Sequence, residues 1–138
     1  MNIDSIKNGY VIDHIKPGKA MEIYTLLNLS KLDCQVAIIT NAKSIKNGKK
    51  DIIKIDQVID IDLDKLGFID PDLTVNIIKK DKIVEKRKIS PPEKIVNVAT
   101  CKNPRCITSV EKDLDQVFFL TDKEQMTYRC KYCETSLK

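Results

Sequence analysis

Four cysteines in the last third of the chain are spaced like the ligands of a single metal ion. Four residues separate Cys101 from Cys106, and two residues separate Cys130 from Cys133. Each close pair can offer two thiolates to one ion, and Zn²⁺ prefers a tetrahedral shell of nitrogen or sulfur ligands at about 2.0–2.3 Å. The spacing therefore predicts one zinc ion per chain, held by all four sulfurs.

A shell of four thiolates has a structural rather than a catalytic use. Catalytic zinc usually keeps an exchangeable position for water or substrate, and four protein ligands leave none. A segment of about 40 residues buries too little apolar surface to fold alone, so the ion is expected to stabilise it.

Two disulfides, or four unrelated buried thiols, are the alternative interpretations of the four cysteines. The absence of a signal peptide and the odd fifth cysteine, Cys34, favour the metal. Cys34 itself is predicted to be a small buried hydrophobic residue.

Composition indicates a globular protein that neither crosses a membrane nor binds nucleic acid. Of 138 residues, 42% are hydrophobic and 32% charged, and no apolar run approaches the ~18 residues of a membrane span. Without a signal segment, the predicted location is cytoplasmic. The formal net charge of +4 and an aromatic content of 5% are low for a nucleic-acid-binding surface. The lysine clusters are predicted to be solvated surface: Lys43, Lys46, Lys49, Lys50, and Lys79, Lys80, Lys82.

The first two thirds of the chain alternate between strand and helix patterns. Predicted strands span 10–15, 36–39, 52–58, 74–78 and 83–88, and predicted helices span 20–27 and 62–69. A polar loop is predicted over 43–50, and a four-residue hairpin connection over 79–82. The resulting order, β-α-β-β-α-β with one added strand, is that of a ferredoxin-like sheet.

The consecutive prolines Pro91 and Pro92 mark a linker, because proline cannot join a strand ladder. We therefore predict two domains, 1–92 and 93–138. The second should contain short strands at 95–99, 116–120 and 126–129 that carry the cysteines. The expected fold class is α+β, with a small all-β zinc domain at the C-terminal end.

Several polar residues lie inside predicted strands, where the backbone holds side chains rigidly: Asp13, His14, Lys54, Asn76 and Lys86. The simplest interpretation is the solvated face of a one-sided sheet. No glycine-rich phosphate loop is present, so any phosphate site would need side-chain cations. With a single histidine, no set of nucleophile, base and orienting group can be assembled, which argues against an enzyme.

A set of segments taken in order resembles the regulatory chain of aspartate carbamoyltransferase. They are residues 9–15, 48–55, 74–76, 92–95, 97–98, 101–107 and 130–134. The resemblance implies a non-catalytic subunit of an enzyme of pyrimidine biosynthesis. Its N-terminal allosteric domain would bind nucleotide effectors and pair with a second regulatory chain, and its zinc domain would dock onto the catalytic chains. The implied effectors are CTP and ATP, with UTP as a third candidate.

The resemblance also assigns residues to these sites. The nucleotide pocket would hold Asp13, His14, Lys54, Asn76 and Lys86, with Ile6, Val11, Lys50, Ile78 and Ile83 lining or supporting it. His14, Lys86 and Asn76 would face the triphosphate, and Lys54 and Asp13 the ribose and base. The residues implied at the catalytic partner are Asn103, Arg105, Tyr132 and Glu134.

One position departs from the family pattern inside the pocket. Asp81 stands where the pattern has a tyrosine beside the ribose, so the preferred effector and the sign of regulation stay open. The two close cysteine pairs, with the residues between them, are called the first knuckle (101–106) and the second knuckle (130–133). Arg105 also replaces a polar residue of the family pattern in the first knuckle.

Two other functions compete with this hypothesis. A nucleic-acid-binding zinc ribbon fused to an α/β module would bind with an affinity that falls steeply with salt. An unrecognised enzyme would show turnover by the isolated chain.

Overall fold

A computed structural model describes residues 6–46 and 48–137 and divides the chain into two compact units, Met1–Ser90 and Pro91–Lys138. The division falls two residues before the predicted domain boundary. The first unit contains β1 (Gly9–Ile15), α1 (Ala20–Leu26), a 3₁₀ turn (Leu29–Lys31), β2 (Val36–Ser44), β3 (Gly48–Ile55), α2 (Leu63–Ile69), β4 (Thr74–Lys79) and β5 (Lys82–Lys88). The second contains β6 (Lys94–Val96), α3 (Ile107–Val110), β7 (Val117–Asp122) and β8 (Thr127–Cys130).

The five strands of the first unit form one antiparallel sheet in the order β2-β3-β1-β4-β5. Strands β1 to β4 follow the split βαβ arrangement expected of a ferredoxin-like sheet. The added strand, β5, lengthens the sheet beyond β4. The predicted α+β class is confirmed.

Alternation along the strands determines which face of this sheet carries the core. Ile12, Ile53 and Val75 lie opposite one another on β1, β3 and β4 and are essentially inaccessible to solvent. They pack with Ile23 of α1 and Leu66 of α2. Each such buried side chain stabilises the fold by about 1.5–3 kcal/mol. Both helices thus cover one face, and the opposite face, defined here as the open face, bears the alternate residues.

The prediction of a loop over 43–50 is wrong for most of those residues. β2 continues to Ser44 and β3 begins at Gly48, so only 45–47 connect them. Lys43 pairs with Lys49 within the ladder. These outer strand positions carry no apolar alternation, because a hairpin that projects into solvent needs only its backbone hydrogen bonds.

The connection between β4 and β5 is also shorter than predicted. Lys79 pairs with Lys82, which leaves a two-residue turn formed by Lys80 and Asp81. Both turn residues have positive φ, 52° and 65°, as a type I′ hairpin requires. Glycine or asparagine usually signals this turn, and their absence explains the longer predicted connection.

The second unit is a small sheet in the order β6-β7-β8. Ile95, Phe118 and Tyr128 are buried at its centre, and the Tyr128 hydroxyl donates a hydrogen bond to the carbonyl oxygen of Pro92 at 2.6 Å. The first predicted strand ends three residues early, at Val96, and the four-residue helix α3 was not predicted.

Over residues 6–46 and 48–137, no helix is both long enough and apolar enough to span a bilayer.

Candidate functional site

The four predicted ligands of the second unit converge on one point. All four Sγ atoms lie within 4.8 Å of one another. Cys101 Sγ is 3.6 Å from Cys133 Sγ, and Cys106 Sγ is 3.7 Å from Cys130 Sγ. Four sulfurs at about 2.3 Å from a common tetrahedral ion would lie about 3.8 Å apart, so the cluster has the size of such a shell. The separations are too long for disulfides, which need about 2.05 Å, and the convergence excludes four unrelated thiols.

Two threonines support the sulfurs. The Thr108 hydroxyl donates to Cys106 Sγ at 3.1 Å, and the Thr135 hydroxyl lies 3.3 Å from Cys133 Sγ. Replacing a group that holds a metal ligand in place typically lowers metal affinity by about 10–100-fold. These residues were not predicted, although the sequence carries a signal for them: each knuckle's second cysteine is followed two residues later by threonine.

Asn103 organises the first knuckle from within. Its Oδ1 accepts from the backbone N–H of Arg105 at 3.0 Å, and its Nδ2 donates to Thr135 Oγ1 at 3.2 Å. Its carbonyl oxygen accepts from the Ser109 hydroxyl at 2.9 Å. The side chain therefore joins the two knuckles, and the partner contact implied by the resemblance stays a prediction.

The protonation of the thiols depends on their surroundings. Burial raises the pKa of Cys101 to about 12 and also raises the pKa of Cys130. The hydrogen bond from the Thr135 side chain lowers the pKa of Cys133 to about 6. An ion entering the cluster must therefore displace protons from the buried sulfurs, whereas Cys133 is already a thiolate at neutral pH.

The other three residues implied at the partner surface are exposed. Arg105 and Glu134 lie at the surface, and Tyr132 is 41% exposed. The Lys131 ammonium lies 5.6 Å from the centroid of the Tyr132 ring. Large apolar side chains share the surface of this unit: Ile107 is 50% and Val110 73% exposed.

In the first unit, the pairing register aligns four of the residues implied at the nucleotide pocket. Val11 of β1 lies opposite Lys54 of β3 on one side and Asn76 of β4 on the other. Asn76 in turn lies opposite Lys86 of β5. Residues paired in this way project from the same face of a sheet, and this row alternates with the core row, so it lies on the open face.

Asn76 is the most unusual member of the row. It is only 9% exposed, and its Oδ1 has no hydrogen-bond partner among the described residues. A buried amide oxygen without a partner costs about 1–3 kcal/mol, so such a group commonly has a partner that the isolated chain lacks.

Asp13 lies on the open face by the regular alternation of β1, and His14 follows it within a β-bulge. The register of β1 against β3 shifts between Ile12 and Ile15, and His14 adopts φ 58°. Asp13 pairs with Lys50, whose Nζ is 3.0 Å from Oδ1, while His14 Nε2 is 3.8 Å from the same carboxylate. His14 Nδ1 is buried without a partner within the described chain. Both residues thus lie beside Lys50, at a β-bulge of the kind that often occurs near functional sites.

A buried carboxylate that was not predicted secures this region. Asp51 is 0% exposed, and its oxygens accept backbone hydrogen bonds from Gly18 and Asn41, each at 3.0 Å. Gly18 follows the bulged end of β1, and Asn41, with φ 58°, lies in a second bulge on β2. Asp51 occupies the core-facing alternation of β3, where a charged residue is unexpected, and that mismatch is the sequence signal for its role.

The remaining implied residues fall into two groups. Ile6 and Ile78 are buried but lie outside the helix-covered core cluster, whereas Ile83 is 53% exposed on β5. Asp81 is exposed in the β4–β5 turn, with its backbone N–H donating to the Lys7 carbonyl oxygen at 3.0 Å. Cys34 is half-buried and packs against the core, in line with a small hydrophobic role.

Fold and site together define a class: a two-unit α+β protein with a ferredoxin-like antiparallel sheet and a C-terminal sheet built around four converging cysteines. Comparison with known families identifies the class further. Residues 1–90 match the family described as "Aspartate carbamoyltransferase regulatory chain, allosteric domain", and residues 93–138 match "Aspartate carbamoyltransferase regulatory chain, metal binding domain". The chain belongs to the aspartate carbamoyltransferase regulatory chain family.

Relatives in several bacteria are named aspartate carbamoyltransferase regulatory chain and match this chain over nearly their full length. The chain is 52% identical to the aspartate carbamoyltransferase regulatory chain of Clostridium tetani, covering 100% of this chain and 96% of the relative. It is 52% identical to the regulatory chain of Clostridium botulinum, covering 97% of this chain and 92% of the relative. It is 43% identical to the regulatory chain of Bifidobacterium longum, covering 100% of this chain and 99% of the relative. The chain is therefore a regulatory rather than a catalytic chain, as predicted, with an allosteric and a metal-binding domain.

Proposed function

We propose that this chain binds nucleotide effectors on the open face of its first unit and docks onto the catalytic chains of aspartate carbamoyltransferase through its metal-held second unit. Two regulatory chains pair through their first units in this proposal. The chain would thereby carry a regulatory signal to an active site on another polypeptide.

The observation that carries the proposal is the row Lys54–Val11–Asn76–Lys86 across four adjacent strands of the open face. Two ammonium groups flank a buried amide whose oxygen has no partner in the described chain. A nucleotide supplies what such a row lacks, because its phosphates accept from ammonium groups and from the amide nitrogen of Asn76, and a ribose hydroxyl can donate to the amide oxygen.

Within this site the residues have different tasks. Lys86, His14 and Asn76 meet the phosphates. A hydrogen bond from the Lys86 ammonium group to a phosphate is roughly twice as strong as a neutral one, and imidazole and amide N–H groups can donate as well. Asp13 would repel phosphate, so together with Lys54 it faces the ribose and base. Lys50 neutralises Asp13 and holds it at 3.0 Å. CTP, ATP and UTP are the candidate effectors.

Asp81 affects which of the candidate nucleotide effectors this chain would prefer. It lies in the turn between β4 and β5, exposed and with two residues of positive φ fixing its direction. A carboxylate in place of an aromatic ring removes a stacking surface and adds a negative charge beside the ribose. Triphosphate effectors should therefore bind less tightly to this chain than to a chain with tyrosine there.

Zinc is the proposed ion of the second unit. Four sulfur ligands in a closed shell about 3.6–3.7 Å apart along two edges suit its tetrahedral preference. Because the ion joins both knuckles, it fixes the surface that bears Arg105, Tyr132 and Glu134, which is the proposed docking surface for the catalytic chain.

The effector site is tested by comparing Lys86→Ala with Arg87→Ala in nucleotide titrations monitored by calorimetry. Lys86 lies on the open face, whereas Arg87 is its neighbour on the opposite face and pairs with Glu85 at 2.7 Å. Loss of one charge-assisted hydrogen bond should raise the Kd of CTP and ATP about tenfold or more in Lys86→Ala. Arg87→Ala should stay within about twofold of wild type.

Equal losses in the two variants would show that only the general positive charge of β5 matters. Unchanged affinity in Lys86→Ala, with nucleotide still bound, would place the effector elsewhere.

A further inference from the structure

Cys101 is held in place by a side chain from outside its own knuckle. Its backbone N–H donates to Oε1 of Gln116 at 2.9 Å. Gln116 lies 15 residues further along the chain, directly before β7, which is the central strand of the small sheet. The position of this cysteine therefore depends on a contact that joins the first knuckle to the sheet.

The backbone N–H groups of two other cysteines bond to main-chain oxygens instead. That of Cys106 donates to the carbonyl oxygen of Asn103 at 3.1 Å, and that of Cys130 donates to the carbonyl oxygen of Thr135 at 3.0 Å. Every residue type supplies such a carbonyl group. Among these three cysteines, Cys101 is thus the one whose backbone hydrogen bond depends on the identity of a side chain.

The backbone of Gln116 is fixed in turn by Asn97, at the end of the β6–β7 ladder. The Gln116 N–H donates to Asn97 Oδ1 at 2.9 Å, and the Gln116 carbonyl oxygen accepts from the Asn97 N–H at 2.7 Å. Asn97 adopts φ 56°, a conformation in which asparagine is enriched, and its Nδ2 donates to Asp115 at 3.0 Å. The Gln116 side chain therefore extends towards Cys101 from a backbone with both polar groups engaged.

Burial makes the Gln116 oxygen hard to replace. Cys101 is only 7% exposed, so water is a poor substitute acceptor for its N–H group. Without the oxygen, conformations in which Cys101 moves away from its place in the cluster would become more populated.

We propose that Gln116 is a positioning residue of the metal centre, which keeps the Cys101 sulfur directed at the ion. The inference rests on the proposed zinc ion and adds to it a residue that determines how firmly one of the four ligands is held. When Gln116 is replaced, the Cys101 sulfur is the first to leave the ion. Groups that orient metal ligands typically contribute about 10–100-fold to metal affinity.

The test is alkylation of the full-length, zinc-loaded chain by iodoacetamide, with the modified cysteines located by mass spectrometry. A thiolate that is bound to zinc reacts slowly, so the rate at each cysteine reports how often that sulfur leaves the ion. Gln116→Met keeps an unbranched side chain of similar length and removes the acceptor oxygen. It should raise the rate at Cys101 about tenfold and the rates at the other three ligands by less than about threefold.

Three further variants separate positioning from a general weakening of the second unit. Gln116→Glu retains an acceptor oxygen and should return the rate at Cys101 to within about threefold of wild type. Tyr128→Phe removes the hydrogen bond to the Pro92 carbonyl oxygen and should raise the rates at all four ligands by a common factor. Gln125→Met is the matched control: it changes an exposed glutamine of the β7–β8 turn and should alter no rate by more than about twofold.

Three results would overturn the inference. The first is an equal increase at all four ligands in Gln116→Met, or no increase at any of them. The second is an increase at Cys101 in Gln116→Glu as large as that in Gln116→Met, because the acceptor oxygen would then be irrelevant. Both results would leave the proposed ion in place. The third, a wild-type chain that binds no zinc, would remove the ion and the inference together.

Discussion

Single side chains decide how readily the second unit takes up its ion. Burial raises the pKa values of Cys101 and Cys130, whereas the hydrogen bond with Thr135 lowers that of Cys133 to about 6. Cys133, which is also the least buried of the four, is thus the sulfur ready to meet an incoming ion. The buried sulfurs bind only after they lose their protons.

Metal affinity should therefore rise with pH. Between pH 6.5 and 8, Cys101 and Cys130 each release a proton on binding, while Cys133 does so only below about pH 6. We expect the logarithm of the apparent zinc affinity to increase by about two or more per pH unit. Competition with a chelator of known affinity, corrected for the chelator's own protonation, measures this slope. A slope below one would mean that the buried thiols are already ionised in the metal-free chain.

Residue types and their spacing predicted that the four cysteines converge, because a metal shell depends on a few side chains close together in sequence. The contacts of Thr108 and Thr135 with the cysteine sulfurs were not predicted, since they depend on hydroxyl directions that only the folded knuckles define. Asn103, which the resemblance implies at the partner surface, also joins the two knuckles through its side chain.

At the scale of elements, two β-bulges and one carboxylate shape the open face. The bulge on β1 contains His14, which follows the open-face residue Asp13, and the bulge on β2 lies on the other side of β3. Asp51 lies between them and accepts the N–H groups of Gly18 and Asn41. Burial of this carboxyl group is tolerable because both of its oxygens accept backbone hydrogen bonds.

Replacing this carboxylate should weaken the first unit. In Asp51→Asn, the amide oxygen can accept one backbone N–H, but the amide nitrogen then faces the other donor. The free energy of unfolding should fall by about 1–3 kcal/mol, measured by urea denaturation. The exposed Asp33→Asn provides the matched control and should change it by less than about 0.5 kcal/mol. Similar values for both variants would show that Asp51 does not hold the bulges together.

The sequence predicted elements wherever burial imposed a pattern on it. Ile12, Ile53 and Val75 are buried because one face of the sheet meets the helices, so their strands and the ferredoxin-like arrangement were correctly inferred. The outer β2–β3 hairpin and the bulges at His14 and Asn41 were missed. Their geometry arises from pairing between distant segments and leaves no periodic apolar signal.

At the scale of the whole molecule, the proposal assigns sensing to one unit and docking to the other. Regulation requires that a nucleotide bind one state of the complete enzyme more tightly than another, since equal affinity shifts no equilibrium. Coupling of this kind typically amounts to about 1–3 kcal/mol. Family membership and full-length similarity establish both domains, and the contacts of each with its ligand or partner are what experiments must now define.

The most direct test of the account asks whether the metal-held unit docks onto catalytic chains. The purified chain, with zinc or after exhaustive chelation, is mixed with the catalytic chains of aspartate carbamoyltransferase, and the complexes are separated by size. We predict co-elution only when the metal is present, because the four cysteines cannot fix the docking surface without it. Equal co-elution after chelation, or no co-elution with zinc bound, would contradict the account.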